Sequence, residues 1–590
     1  MVTAVHPDAD RRTRRVLWWG RGVAIVLTGV FLLLLGRVVQ LQQQPHAGVT
    51  ERLRRQASDV PLSARRGAIL DRRGRPLTQT RTTLRLFVDP ALIEDHGVFG
   101  EEVARRGGAS LRLDPLEVER RVSARPGSRY VVLADGITGT AALAAEEVVR
   151  AVPGVGLEQR LERSHPHGTV ASQLLGFVGT DGHGQEGMER ALDAELLGSS
   201  GRRPMFRDAQ RRPLWTVGRR YHPQADGRTA RLTLDLNLQR LGERLLAETL
   251  ETYEADSGQL IAMDPRTGEI LALANAPAFD PEANRSAPDA WRNRAVTDAV
   301  EPGSVMKPLV WAAALELGLT EPEEVFDTTL RGWWKPRRGP VLRDAHPHGE
   351  LTWDGVLVRS SNIGMAMVAE RMGRPQLDRV LRDFGFGTAT GSGIPGEAAG
   401  MLRRVEDWSW TDLSRLPMGQ GIAVTPIQMV RGFCAVANGG LLVQPRIRID
   451  GEPPDTVLSP PARVLSPEVA EHTKRVLRRV VTEGTGRHAR SDRFKIFGKT
   501  GTAQLPDLIR GGYEAEGYLS CFIGGGPLAN PRLVVGVFIQ RPDKKIGHYG
   551  GVVAGPPAKA FLEQALHYLG ETADVEGDTE AGAQQVASTR

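Results

Sequence analysis

The sequence predicts an α/β protein on a membrane anchor. An N-terminal helix leads into an irregular, β-rich pedestal, and then into a sheet that carries a helical insert. Three observations support this. A charge-free apolar run, GVAIVLTGVFLLLLG, fills residues 22–36. Strand-like segments occur at 257–276 and return at 493–540. Between them, from about 304 to 485, the pattern is mostly helical. Strands at both ends of a helical block suggest one sheet with a helical subdomain.

The anchor comes first. With Arg21 and Arg37 admitted near its ends, the apolar stretch extends from Val16 to Leu41. A bilayer crossing needs roughly 20 residues. Arg11, Arg12, Arg14 and Arg15 precede it, so the positive-inside rule puts residues 1–15 in the cytoplasm. Trp18 and Trp19 stand where an interfacial aromatic belt belongs, and Arg37 is placed to snorkel outward. A cleaved signal peptide is the alternative, but RVVQLQQQPHAG, which follows, offers a poor small-x-small cleavage site. No other run is as long, so the remainder is expected outside the cytoplasm, in the periplasm or its equivalent. That removes nucleic acid as a partner, although the net charge is +6 and the pI about 9.5.

Residues 42–230 form the expected non-catalytic pedestal. In RRGAILDRRGRPL (65–77) the DRRG reads as a turn between two short strands. In GFVGTDGHGQEGMERALDAELLG (176–198) a glycine-rich turn precedes a helix with Met188, Ala191, Leu192 and Leu196 on one side. HPHG occurs at 165–168 and again at 346–349. Without further convergent ligands both read as Pro-Gly turns rather than metal sites. The arginines from Arg52 to Arg75 read as a solvated or membrane-proximal basic surface, with partner docking as the alternative.

A second domain is expected over 231–570. Leu238, Leu241, Leu245 and Leu246 are spaced for an amphipathic helix, with Asp235 as its N-cap. SGQLIAMD and GEILALANA flank Pro265-Arg266-Thr267 as a β-hairpin. RFKIFGKTGTAQ, GYLSCFIGG and RLVVGVFIQ read as three further strands, and PPAKAFLEQALHYLG as a closing helix. Cys434 and Cys521 both lie in apolar contexts and read as buried thiols, with a pairing between them left open. The last twenty residues, 571–590, are polar and acidic and are expected to be disordered.

EPGSVMKPLVW (301–311) carries the chemistry. Pro302-Gly303 stops the preceding chain, and Val305 to Leu317 is a helix candidate that Gly318 can end. Ser304 then lies at the helix start, with Lys307 at i+3 on the same face. A serine hydroxyl needs a base beside it. A lysine serves as that base once burial or neighbouring charge makes its neutral form accessible. Alone, SxxK is a weak signal. VRSSNIG adds Ser360-Ser361-Asn362, and FGKTGTA adds Lys499-Thr500-Gly501-Thr502. The SxN loop would bring a hydroxyl and an amide to the serine–lysine pair. A cationic KTG strand edge can hold a carboxylate, and its glycine lets a substrate backbone lie close. Backbone N–H groups of Ser304 and Thr502 are candidate donors to a tetrahedral oxyanion. The implied reaction is acyl transfer through a Ser304 ester.

SxxK, SxN and KTG in this order resemble the motif set of penicillin-binding proteins. The resemblance runs over roughly 16–568. It includes RGAILDRRGRPL, GQEGMERALDAELLG, MDPRTGEILALANAPAFDP, NRAVTDAVEPGS, PMGQGIAVTPIQM, EGTGRHA and HYGGVVAGPPA. It is to class B, the single-pass peptidoglycan D,D-transpeptidases, and within that class to the septal, division-specific type more than to the elongation type. The resemblance implies a five-stranded antiparallel sheet flanked by helices, with an all-helical subdomain. It makes Ser304 the acylated nucleophile and Lys307 its base. Ser360 and Asn362 would assist proton transfer and bind the donor peptide. Lys499, Thr500 and Thr502, with Gly501 between them, would bind the terminal carboxylate of the stem or of a β-lactam. No metal or cofactor is implied. The implied partners are peptidoglycan stem peptides, β-lactams, and a polytopic glycosyltransferase with other divisome proteins. HPHG at 165–168 departs from the aromatic-Pro pair usual in the family. A β-lactam sensor, a carboxypeptidase or β-lactamase, and a non-catalytic division scaffold are the rival readings. The single span, the long pedestal and the intact motifs argue against them.

Overall fold

A computed structural model describes residues 7–43, 57–125, 127–207, 213–216, 221–283, 288–449, 460–507 and 509–575. Most of the acidic C-terminal segment, from residue 576 onward, lies outside the described residues, as do Arg52, Arg54 and Arg55 of the arginine cluster. The chain divides into two compact units.

The first unit comprises residues 1–64 and 199–225. Its helix, Pro7–Gln43, runs 37 residues, about 55 Å at 1.5 Å per residue. Over Arg11–Gln43 it is long and apolar enough to cross a membrane, with mean hydropathy 2.4 in its most apolar window. Leu33 and Ile25 are among its exposed apolar side chains. The same unit holds a three-stranded antiparallel sheet in which Gly201–Arg207 lies between Ala57–Leu62 and Pro213–Thr216.

The second unit comprises residues 65–198 and 226–590, so most of residues 42–230 group with the C-terminal part of the chain. Asp71 explains the DRRG turn. Its carboxylate accepts from the backbone N–H groups of Arg73 and Arg75, and Gly74 takes φ +81°. The strand after the turn is longer than expected, Pro76–Val88. Threonines and arginines obscure its pattern in the sequence, but it pairs along its length with Val155–Ser164. The helix expected after Gly187 is two short ones, Gly187–Ala191 and Asp193–Leu196. Leu192 breaks the helical path at φ −103°, ψ 12°. Met188, Leu192 and Leu196 are buried as expected, but Ala191 is exposed. Glu189 is fully buried between Arg66 and Arg163, each 2.6 Å away. A buried carboxylate needs such pairing, and it ties the RGAILDRRGRPL and GQEGMER stretches together. The HPHG at 165–168 is a turn closed by the Gly168 N–H on the His165 carbonyl at 2.9 Å.

The main sheet of this unit has five antiparallel strands: β1 (Ser257–Met263), β2 (Ile270–Ala276), β3 (Phe497–Pro506), β4 (Tyr513–Gly526) and β5 (Leu533–Gln540). Their order is β2-β1-β5-β4-β3. β1 and β2 are buried along their whole length, which removes the polar alternation of a one-sided sheet. One face is covered by α1 (Leu236–Tyr253) and a C-terminal helix, Gly555–Tyr568. Leu245, Leu246, Phe561 and Leu562 pack there on Leu260, Val535 and Val537. Asp235 caps α1 through the N–H groups of Asn237 and Leu238 and also meets Arg75 at 3.0 Å. The other face receives the helical insert. Its α2 (Lys307–Glu316), α3 (Asn362–Met372), α4 (Pro426–Ala437) and α5 (Pro467–Thr482) share one core with Ile261, Met263, Ile523 and Phe538. Trp311 of α2 stacks on Trp353 at 5.8 Å, both fully buried. Cys434 and Cys521 are buried free thiols.

Candidate active site

Ser304 sits in a single 3-10 turn, Gly303–Val305, that runs directly into α2. The turn depends on Gly303, at φ +60°. A Cβ there would stand 3.2 Å from the Ala503 Cβ and 3.4 Å from the Thr502 carbonyl of β3. The absent side chain therefore lets the Ser304 turn lie against β3. The Gly303 N–H donates to the Gly419 carbonyl at 3.2 Å. Ser304 is half-buried, while Val305, Met306 and Lys307 are buried. Among the described residues no hydrogen bond engages the Ser304 hydroxyl.

Lys307 has no exposed surface. Its Nζ donates to the Ser360 carbonyl at 2.5 Å, the Ser360 Oγ at 3.2 Å and the Asn362 Oδ1 at 2.7 Å. These oxygens match its three donor positions. Burial lowers the amine to about 7, against the opposing pull of Asp344. Half of such amines are neutral near neutral pH, as a proton acceptor requires.

The SxN segment is held from two sides. Ser360 ends the helix Trp353–Arg359 in the left-handed region at φ +61°. A non-glycine residue there costs on the order of 1–3 kcal/mol, and such strain clusters at functional sites. Ser361 caps α3 and donates to Asp344 at 2.6 Å. Asp344 also accepts from the backbone N–H groups of Asn362 and Ile363. The Asn362 amide donates to the Arg343 carbonyl at 2.8 Å, which fixes its oxygen toward Lys307.

β3 brings the third motif to the edge of the sheet. A Cβ on Gly501 would meet the Cys521 Sγ at 2.5 Å and stand 3.1 Å from the Pro302 carbonyl. Thr500 shares a hydroxyl bond of 2.7 Å with Thr485 of the EGTG stretch. The Thr502 Oγ1 accepts from the Gly550 N–H at 2.9 Å. Lys499 stands on this edge strand but not at its surface. It is fully buried, with Nζ donating to the Thr500 carbonyl at 2.9 Å. Burial, and after it the charge of Lys307, lowers its amine well below the usual lysine value.

The structure thus joins Lys307, Ser360 and Asn362 by direct bonds and lays the Ser304 turn against the strand of Lys499, Thr500, Gly501 and Thr502. Sequence reasoning passed over Asp344, which lies in an irregular hairpin with no motif of its own. It also passed over Glu301, three residues before the serine. Glu301 accepts from the Gly421 N–H at 2.8 Å and the Tyr513 hydroxyl at 2.9 Å. Burial, with Glu301 beside it, raises that phenol to about 12, so it remains a donor. Gly419 and Gly550 lie inside quoted stretches, PMGQG and HYGG, that could have pointed to them.

Comparison with known proteins identifies the family. Residues 258–563 match the family described as penicillin binding protein transpeptidase domain, and residues 61–232 match the penicillin-binding protein dimerisation domain. The probable peptidoglycan D,D-transpeptidase PenA of Neisseria gonorrhoeae is 32% identical, covering 93% of this chain and 92% of its own. The peptidoglycan D,D-transpeptidase FtsI of Escherichia coli is 31% identical, covering 92% and 91%. The crystal structure of penicillin binding protein 3 from Mycobacterium tuberculosis with aztreonam superposes with a TM-score of 0.67 at 28% identity. It covers 87% of this chain and 98% of that one. With its family match spanning more than half its length and relatives of this kind along nearly all of it, the chain belongs to the penicillin-binding protein transpeptidase family.

Proposed function

We propose that the chain is a peptidoglycan D,D-transpeptidase that cross-links stem peptides during septal wall synthesis, through an acyl-enzyme on Ser304. The observation that carries the reading is the buried Lys307 amine, lowered to about 7 and bonded to Ser360 and Asn362 one turn from Ser304. Neutral Lys307 takes the Ser304 proton as Oγ attacks the carbonyl of the D-Ala-D-Ala bond. The oxyanion is received by the Ser304 and Thr502 N–H groups. The proton passes by Lys307 and Ser360 to the departing D-Ala amine, leaving the Ser304 ester. The amino group of a neighbouring stem then attacks that ester, and its proton returns by the same groups. Lys499, Thr500 and Thr502 hold the donor carboxylate, and Gly501 leaves room for its backbone. A β-lactam enters the same first step and stays as the opened-ring ester.

The arginines ahead of the apolar run, Arg11 to Arg15, orient the chain with residues 1–15 in the cytoplasm and the catalytic domain outside. The anchor and pedestal, residues 16–230, are the docking surface for a polytopic glycosyltransferase and other division proteins. The relatives include the peptidoglycan D,D-transpeptidase FtsI of Escherichia coli and stage V sporulation protein D of Bacillus subtilis, and the septal part of the reading rests on the resemblance of the quoted sequence stretches.

The test is labelling of the full chain in detergent with a fluorescent penicillin. Wild type is expected to form a stable adduct, and folded Ser304→Ala and Lys307→Ala are expected to form none. An adduct on Ser304→Ala would remove the nucleophile assignment, and rapid loss of the wild-type label would indicate a hydrolase. A fluorescent fusion gathered along the side wall instead of at division sites would remove the septal assignment.

A further inference from the structure

One cluster on the helical insert has no part in the acyl-transfer site. A hairpin pairs Trp333–Trp334 with Leu342–Arg343, and its loop carries Arg337 and Arg338. The Arg338 guanidinium lies 3.8 Å from the centre of the Trp410 ring, and that of Arg374 lies 4.7 Å from it. Trp410 is 58% exposed, whereas Trp408, two residues earlier, is buried. Arg374 donates to the Ser409 carbonyl at 3.0 Å, which ties the Trp410 loop to the residues just after α3. A cleft of about 210 Å³ opens between Arg337, Arg338, Glu370, Arg374 and Trp410. Arg337 is matched by Glu370 at 3.6 Å. Neither Arg338 nor Arg374 meets a carboxylate among the described residues. A guanidinium stacked on indole keeps its N–H edge free for a planar carboxylate, and the indole adds an apolar face beside it.

The cleft is joined to the reaction site along two paths. The Arg337–Arg338 loop leads to Asp344, which holds Ser361, Asn362 and Ile363. Trp410 leads through Asp412–Arg415 and Leu416–Met418 to Gly419, whose carbonyl receives the Gly303 N–H. Along α3, Glu370 lies about 12 Å from Asn362 at 1.5 Å per residue. An extended peptide of five residues spans roughly 17 Å.

We propose that Arg338, Arg374 and Trp410 form a subsite for the carboxylate-bearing stem of a second, acceptor peptidoglycan strand. The inference rests on the transpeptidase reading above. That reading assigns the donor carboxylate to β3, whereas the cleft belongs to the arm that carries Asn362, so each strand has its own anion site. An acidic segment of a partner protein would satisfy the same charges, but nothing would require it within one stem's reach of Asn362.

The test uses the full chain in detergent, first acylated with penicillin so that Ser304 is occupied. Binding of a fluorescently labelled, uncross-linked disaccharide pentapeptide is then read by anisotropy. The wild-type acyl-enzyme is expected to bind it, more weakly as salt rises. Arg338→Glu and Trp410→Ala are each expected to weaken binding by about tenfold or more, with penicillin acylation and Tm unchanged. Amidation of the probe's terminal carboxylate is expected to weaken binding in the same way. Wild-type-like binding by both variants overturns the subsite. So does absence of binding to the wild-type acyl-enzyme, including a result in which the variants lose only an acidic protein peptide. A wild type that penicillin does not acylate overturns the transpeptidase reading together with the subsite.

Discussion

Raising the pH from 6 to 8 is expected to speed penicillin acylation of Ser304 about tenfold, with a midpoint near 7. An ordinary lysine, at 10.5, is neutral in only about 0.03% of molecules at pH 7, whereas a group at about 7 is neutral in about half. Burial thus multiplies the reactive form by roughly a thousandfold. Between pH 6 and 8 the neutral fraction climbs from about 9% to about 91%, which sets the tenfold rise. The same shift has a cost in stability. The difference of 10.5 − 7 = 3.5 units corresponds to about 5 kcal/mol at 1.36 kcal/mol per unit. The folded value lies below the unfolded one, so the unfolded chain binds more protons between them. Stability therefore rises with pH from about 7 to 10.5, and the penalty is fully present below 7. Lys307→Met, which keeps the volume without the charge, is expected to abolish acylation yet to gain more stability at pH 6 than at pH 9, less whatever the three lost hydrogen bonds contributed. The assays are stopped-flow acylation by a fluorescent penicillin and urea denaturation at each pH. A flat rate profile from pH 6 to 9, or a midpoint above 9, would refute the argument that burial makes Lys307 the base.

Two further substitutions probe the frame around that amine. Asp344→Asn removes the one charge that raises Lys307, so the acylation midpoint is expected to move to lower pH, and an upward move in the same rate profile would contradict the electrostatic assignment. Gly419→Ala forces a side chain into φ +78°, with its Cβ 2.3 Å from the Gly303 carbonyl oxygen. A displaced nucleophile turn is expected to slow acylation by about a hundredfold, read beside Tm, and an unchanged rate would show that the turn tolerates the shift.

Local features of the sequence translated directly into structure. Asp235 reads as an N-cap because a cap and its leucine-spaced helix are adjacent in the chain, and the structure has both. Ser304 and Lys307 read as a pair because they stand three positions apart, about one helical turn. The partners that complete the site are remote. Asp344 lies 18 residues before Asn362, in a hairpin of two-residue strands that leave no periodic signal. The burial of Lys499 was equally hidden. β3 is an edge strand, which alone suggests exposure, but the Gly303 turn and Gly550 close over it. The Pro76–Val88 strand was shortened in sequence because its arginines and threonines interrupt the apolar alternation. The break at Leu192 was missed because nothing in ERALDAEL forbids a continuous helix.

Two primary amines buried in one site place a constraint on the substrate. The charge of Lys307 is, after burial, the next cause lowering Lys499, so the pair titrates as a coupled system. Under the proposed reading, the donor carboxylate arriving at Lys499 supplies a counter-charge and favours a proton there. A protonated Lys499 then disfavours a proton on Lys307, the form from which Ser304 is activated. Substrate charge thus contributes to the chemical step as well as to docking. A penicillin whose carboxylate is methylated is expected to lose acylation rate at saturating concentration, and its rate–pH midpoint is expected to lie above that of the free acid. If the ester raises only the concentration needed for half-maximal rate and leaves both the saturated rate and the midpoint in place, the carboxylate serves docking alone and the coupling of the two lysines plays no part in acylation.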